Sequence, residues 1–194
     1  MPTIFKLESI CSRSRHFDAG VLKAARSQGL AAKGRAMLLV HPLFSECFSA
    51  DESLERTDPY LFRQIMVKDY DEYAGHLGRF IKATKMMPFV LSGENSYVKA
   101  SGWLNRIILN KDVYMAESGS KDPTPIFSFD SVLSPWYVLA DMMKDIGILN
   151  VFLAGELAYI EKAENKGCVF SVQQQLSPYI PAKILPHLTF PGIY

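Results

Sequence analysis

Cys168 occupies a position where a thiol could act as a nucleophile. It follows Gly167 and begins a segment in which Val169, Val172 and Leu176 recur at the spacing of one helical face. In the first turn of a helix, the macrodipole and the unpaired backbone N–H groups stabilise a thiolate, the form of cysteine that attacks carbonyl carbon. The alternative interpretation is a small buried hydrophobic residue beside Val169. The sequence leaves both roles open.

Polar residues follow most of the predicted strands. The carboxyl ends of parallel strands meet at one edge of a sheet, so side chains that are distant in sequence converge there. On this argument the edge collects His41, Glu94, Asn95, Glu117, Gly155, Glu156 and, at the last strand, His187. We expect a small molecule to bind among these residues.

The chemistry of this set is acid–base or metal-binding in principle. Histidines and carboxylates transfer protons, and they also bind metal ions. No short metal motif of the HExxH kind is present, so we predict no metal and no cofactor. Gly93-Glu94 and Gly155-Glu156 each have a single glycine before an acidic residue. Such a segment lacks the several glycines of a phosphate-binding loop, and its carboxylate would repel a phosphate.

Five short apolar segments predict strands that are covered on both faces, because their residues do not alternate with polar ones. They span 36–41, 88–91, 113–116, 151–154 and 183–188. Pro123 and Pro125 predict that 119–130 is irregular. Residues 1–17 show little periodicity and predict an N-terminal arm or an extra edge element.

Helices are predicted between these strands. Asp18 and the pair Ser134-Pro135 are start signals for helices that end near Gly34 and Gly147. The range 58–81 is amphipathic and predicts one long helix or two shorter ones, and 97–108 predicts a weaker helix. Alternating strands and helices predict an α/β fold: one three-layer, doubly wound domain over 1–194 with a mainly parallel five-stranded sheet. The strand order is either 3-2-1-4-5 or 2-1-3-4-5.

Composition excludes several classes of protein. The chain has 194 residues, 48% of them hydrophobic and 21% charged, with a net charge of +1. This balance gives no long-range field for nucleic acid or anionic lipid, so we predict neither partner. Cys11, Cys47 and Cys168 form no paired framework, which favours a reducing compartment. No signal peptide or membrane span is evident, and we predict a cytoplasmic protein.

The order of these motifs resembles the isochorismatase-like cysteine hydrolases over residues 36–190. The family has an aspartate after the first strand, a lysine after a middle strand and a nucleophilic cysteine in a G…CV signature. Here MLLVH ends in His41 in place of the aspartate, Lys121 follows the third strand, and VFLAGE…GCV contains Cys168. The resemblance implies hydrolysis or acyl transfer on a small amide or ester. Cys168 would be the nucleophile, His41 the base, and Lys121 or backbone N–H groups would stabilise the oxyanion.

Two functions follow from these observations. The first is a protein that binds a small molecule at the carboxyl edge of the sheet, with a hydrolase-like site that is degenerate or repurposed because His41 replaces the aspartate. The alternative is a non-catalytic module that forms a homo-oligomer or binds a partner. The aromatic residues of the predicted helix over 58–81 and the arm with Phe5, Phe17 and Arg13 would contribute to its contact surface.

Overall fold

A mainly parallel sheet lies at the centre of the computed structural model, which describes residues 3–42, 72–73, 75–93, 111–119, 122–156 and 167–190. Its strands are β1 (Ile4–Lys6), β2 (Arg35–Val40), β3 (Met87–Gly93), β4 (Val113–Ser118), β5 (Pro125–Ile126), β6 (Asn150–Glu156) and β7 (Ala182–Phe190). The α/β class and the mainly parallel pairing are confirmed. The predicted number of strands is wrong, because the described residues form seven strands and not five.

The helices of the described ranges are α1 (Ala19–Ala31), α2 (72–73 and 75–84), α3 (Pro135–Asp145), α4 (Cys168–Leu176) and a short 3-10 helix (Leu7–Ile10). Both predicted helix starts are confirmed. The Asp18 carboxylate accepts hydrogen bonds from two backbone N–H groups of the first turn of α1, and the Ser134 hydroxyl accepts one in α3. The predicted helical ranges 58–71 and 97–108 lie outside the described residues. None of the helices in the described ranges has the length and apolar character that a membrane crossing requires.

The strands lie in the order β1-β4-β3-β2-β6-β7, and β5 pairs with β4. Strands β4, β3, β2, β6 and β7 are parallel neighbours. They correspond to the five predicted strands and follow the 3-2-1-4-5 alternative. The order reverses direction between β2 and β6, and such a switch point is where open α/β sheets bind ligands.

The two strands beyond these five are short and lie at one edge. Strand β1 runs parallel to the first half of β4, and β5 runs antiparallel to its second half. The prediction of irregular structure over 119–130 is therefore wrong for Pro125–Ile126. A proline is tolerated there because an edge strand does not need every backbone N–H for pairing. For residues 1–17 the sequence predicts an N-terminal arm or an extra edge element, and residues 4–6 form an edge element.

The core lies on both faces of the sheet. Leu38 and Val40 of β2 pack in a cluster with buried residues of α1, α3 and α4. Met37 and Leu39 point the opposite way and pack with Leu77 and neighbouring residues of α2. Alternate residues of the same strand thus enter different clusters, which explains why this strand is apolar throughout.

Candidate functional site

His41 is held at the end of β2 in a conformation that non-glycine residues seldom adopt. Its φ of 45° lies in the left-handed region, and its backbone N–H donates to the Leu91 carbonyl of β3 at 2.9 Å. The residue is only 4% exposed. Its Nε2 lies 2.9 Å from Oγ of Ser118, the last residue of β4. The imidazole therefore links the ends of β2 and β4 across the intervening strand β3.

The environment keeps the His41 ring neutral. Burial lowers the pKa of His41 to about 4, from an ordinary value of 6.5. The charge of Asp122 and a hydrogen bond with the backbone of Gly119 act in the opposite direction but are smaller effects. A neutral imidazole has one nitrogen that donates and one that accepts. At neutral pH such a ring is a good hydrogen-bonding group and a weak base.

The backbone of Gly155 in β6 leaves no room for a side chain beside β2. It pairs with Val40, the residue before His41, and its φ is 131°. A Cβ atom at this position would overlap the backbone of Val40, above all its carbonyl oxygen. Only glycine fits, because both the backbone angle and the contact exclude a side chain. His41 and Gly155 thus lie together at the switch point, as the 3-2-1-4-5 alternative predicts.

Cys168 begins α4, as the sequence predicts, and Gly167 is the cap residue before it. Helix α4 connects β6 to β7, which are parallel, so its first turn lies at the carboxyl edge of the sheet. The cysteine is 9% exposed and belongs to the same core cluster as Val40. Cys168 therefore lies in the first turn of a helix, as a nucleophilic cysteine would, and it is also buried, as a small hydrophobic core residue would be.

Of the other predicted site residues that the structure describes, Glu156 ends β6 at the switch point and Glu117 lies away from it. The Glu117 side chain is exposed and lines a separate cleft beside β1, with Lys6 and Arg15. Glu156 is the last residue of β6, where it pairs with Phe190. Glu94, Asn95 and Lys121 lie outside the described residues, so their predicted roles stay predictions.

His187 does not stand at the end of its strand. Strand β7 continues beyond it to Phe190, and the His187 ring meets the Phe80 ring edge-on at a centroid distance of 5.7 Å. The predicted end of this strand near His187 is wrong, because β7 continues to Phe190. A proline is tolerated in β7 because this strand is the outermost on its side of the sheet.

Two polar residues of importance were missed in the sequence. Ser118, the partner of His41, is fully buried next to the exposed Glu117. Strand alternation separates the two side chains, but the sequence does not say which of them faces inward. Glu8 is also buried, and it accepts hydrogen bonds from the backbone N–H and the hydroxyl of Ser128. The sequence offers one indication that Glu8 is buried, which is its position between the apolar residues Leu7 and Ile10.

Comparison with models of protein families, with curated proteins and with solved structures finds no match for this chain. Within the described ranges, no group of three His, Cys, Asp or Glu side chains is placed to hold a metal ion.

Proposed function

We propose that the protein binds a small molecule at the switch point, which we define as the carboxyl ends of β2 and β6 and the first turn of α4. The observation that supports this most is the reversal of strand order between β2 and β6, with His41 and Gly155 at that place. Both residues have left-handed backbone conformations. Rare conformations of this kind concentrate at ligand sites.

The side chains of the switch point favour an uncharged polar ligand. His41 is neutral at physiological pH, because burial lowers its pKa to about 4, and it therefore offers hydrogen bonds without a charge. Gly155 adds no charged or polar side chain, since the backbone of Val40 fills the place where one would stand. A phosphate would find none of the clustered glycines that usually bind it, since Gly155 is followed directly by Glu156.

We infer that the site binds its ligand without acyl transfer, which is the degenerate form of the cysteine hydrolase site. Acyl transfer would require His41 to accept the proton of Cys168 and remain protonated while the thiolate attacks. His41 Nε2 and Ser118 Oγ are hydrogen-bonded to each other, and the low pKa of His41 disfavours the protonated ring. Both observations support binding over catalysis.

A screen of uncharged small molecules by thermal unfolding tests the proposal. We expect at least one compound to raise the Tm of the wild-type protein and to have less effect on His41→Asn. Asparagine tolerates the left-handed conformation, so this variant keeps the backbone and loses the ring. His76→Asn, a change of an exposed residue of α2, is the matched control. Equal stabilisation of all three proteins by every active compound would contradict the proposal.

Alkylation of the cysteines tests whether chemistry accompanies binding. Cys11 is buried to a similar degree as Cys168 but does not begin an α-helix, so it is an internal control. We expect iodoacetamide to modify both thiols slowly and at comparable rates in the native protein, as mass spectrometry of the peptides would show. Modification of Cys168 at least about tenfold faster than Cys11 would indicate an activated nucleophile and favour the hydrolase.

A homo-oligomer is the second candidate, and one surface supports it. Val132 is fully exposed, and Leu133 and Tyr137 beside it are about 40% exposed, next to and within the start of α3. Adjacent exposed apolar side chains are typical of contact surfaces. Light scattering after size exclusion would give the mass of a dimer for the wild-type protein and that of a monomer for Val132→Ser. A monomeric wild-type protein would remove this candidate.

We also infer a three-layer, doubly wound arrangement and a cytoplasmic location, both of which the sequence predicts. A three-layer, doubly wound arrangement is supported by the two core clusters, one with α1, α3 and α4 and the other with α2. A cytoplasmic location is supported by three cysteines without a disulfide framework.

A further inference from the structure

A cleft lies on the far side of the sheet from β7, between β1, β5 and the end of β4. Its volume is about 150 Å³, and none of the switch-point residues lines it. Side chains that approach from three separate segments of the chain form its walls: Lys6, Glu8, Arg15, Glu117, Phe127 and Ser128 are among them. The cleft is therefore independent of the proposed ligand site at the switch point.

The charges of this cleft are balanced. Lys6 and Arg15 supply two positive charges, and Glu8 and Glu117 supply two negative ones. A ligand with only a negative or only a positive charge would meet repulsion as well as attraction there. A ligand that has one charge of each sign would be attracted at both ends.

The two acidic residues have different surroundings. The Glu8 carboxylate is buried, is occupied by the N–H and hydroxyl of Ser128, and lies 3.8 Å from Nε2 of His16. The Glu117 carboxylate is exposed on the cleft wall. Glu117 is thus available to an ammonium group, whereas Glu8 holds the wall of the cleft together.

The cationic side of the cleft suits a carboxylate. Arg15 and Lys6 are both exposed, and an arginine guanidinium can donate two parallel hydrogen bonds to one carboxylate. His16 and Ser128 also line the cleft, and the apolar part of the lining consists of Met115, Ala116, Ile126 and Phe127. A carboxylate, an ammonium group and an apolar side chain are the three parts of an aliphatic amino acid.

The size of the cleft limits the ligand. A buried apolar cavity of roughly 150 Å³ accommodates a molecule the size of benzene. Because this cleft is partly open, a ligand of about six to ten non-hydrogen atoms can fit with its polar end toward solvent. Valine, leucine and methionine are of this size, while peptides and nucleotides are larger.

We propose that this cleft binds a free α-amino acid with an apolar side chain, as its zwitterion. Arg15 and Lys6 bind the carboxylate, Glu117 binds the ammonium group, and the side chain packs against Phe127 and the exposed Ile126. The site goes beyond the proposed function, because its ligand is charged at both ends and none of its residues belongs to the switch point.

Calorimetric titration with matched ligands tests the charge pattern. L-Valine, L-leucine and L-methionine are the probes, and N-acetyl-L-leucine and L-leucine methyl ester each lack one of the two charges. We expect at least one free amino acid to bind and both derivatives of leucine to bind at least roughly tenfold more weakly than leucine. Absence of binding by all three amino acids up to their solubility limits would overturn the proposal. Equal binding of N-acetyl-L-leucine and leucine would overturn it too.

Variants test the assigned residues. Arg15→Ala is expected to weaken binding of the amino acid by roughly tenfold or more, because a charge-assisted hydrogen bond is lost. Arg13→Ala is the matched control, since Arg13 pairs with Asp141 at the surface and does not line the cleft. Glu117→Gln should weaken binding of leucine but not that of N-acetyl-L-leucine, and His41→Asn should change neither. An unchanged Kd for leucine in Arg15→Ala or in Glu117→Gln would refute the assignment.

Discussion

At the scale of single residues, His41 determines what the proposed site can do. Its left-handed backbone directs the ring toward Ser118, and burial keeps that ring neutral. Burying a titratable group without charging it makes folding depend on pH, because the unfolded chain still binds the proton.

The pH dependence of stability has a definite sign. The pKa of His41 is about 4 in the folded protein and ordinarily 6.5. Between these values the unfolded state binds a proton that the folded state does not. The contribution of His41 to the free energy of unfolding is therefore fully present at neutral pH and is lost as the pH falls from 6.5 toward 4. From about pH 7 to about pH 5, we expect the wild-type free energy of unfolding to fall by about 2 kcal/mol more than that of His41→Asn.

Urea unfolding of the two proteins at both pH values measures this difference. His76→Asn, a change at an exposed histidine of α2, is the control. Parallel pH dependences of the wild-type protein and His41→Asn would show that the ring is not buried in its neutral form.

Gly155 gives a second test at this scale. Gly155→Ala would place a methyl group against the Val40 carbonyl, and we expect it to cost more than about 3 kcal/mol of stability. Gly147 has a positive φ of 85° but has no atom within 4 Å of the position of an added Cβ. Gly147→Ala should therefore cost only about 1 kcal/mol. Similar unfolding midpoints in urea for the two variants would contradict the close approach of β2 and β6.

Some residues of the proposed site can be predicted from the sequence and others cannot. His41 and Gly155 could be predicted because a buried apolar strand ends beside each of them. Ser118 could not be chosen over Glu117, because alternation along a strand does not say which face is covered. Cys168 could be placed at a helix start, but its burial depends on the contacts of α4 with the rest of the fold.

At the scale of elements, the long buried strands were predictable and the short edge strands were not. Strands β2 and β6 are nearly continuous in apolar residues, which marks strands covered on both faces. Strands β1 and β5 have three and two residues, too few to show any period. They form because β4 would otherwise leave one edge unpaired, a feature of the assembled sheet and not of the local sequence.

Glu8 connects these edge elements, and its removal tests that connection. It belongs to the 3-10 helix after β1 and binds Ser128, which follows β5. We expect Glu8→Ala to lower the free energy of unfolding by about 2 kcal/mol, because the Ser128 N–H and hydroxyl both lose their acceptor. Glu72→Ala, a change at an exposed residue of α2, should have little effect. Equal unfolding midpoints of these two variants would contradict the connecting role of Glu8.

At the scale of the whole molecule, the strand order decides where a ligand can bind. An alternation of strands and helices fits both 3-2-1-4-5 and 2-1-3-4-5, since each satisfies the same connection rules. Long-range packing selects the first, in which β2 and β6 are neighbours. Under the other order, His41 would stand beside Glu117 and Gly155 would lie elsewhere, so the proposed site exists only in the observed arrangement.

An amide NMR titration tests the proposed binding site most directly. The isotope-labelled protein is titrated with the compound that stabilises it best in the screen of uncharged molecules. The largest shifts are expected at His41, Gly155 and the first turn of α4, and the same residues should respond weakly in His41→Asn. If no compound binds, or if the largest shifts fall at the opposite edge of the sheet or in the cleft beside β1, the switch point is not the ligand site.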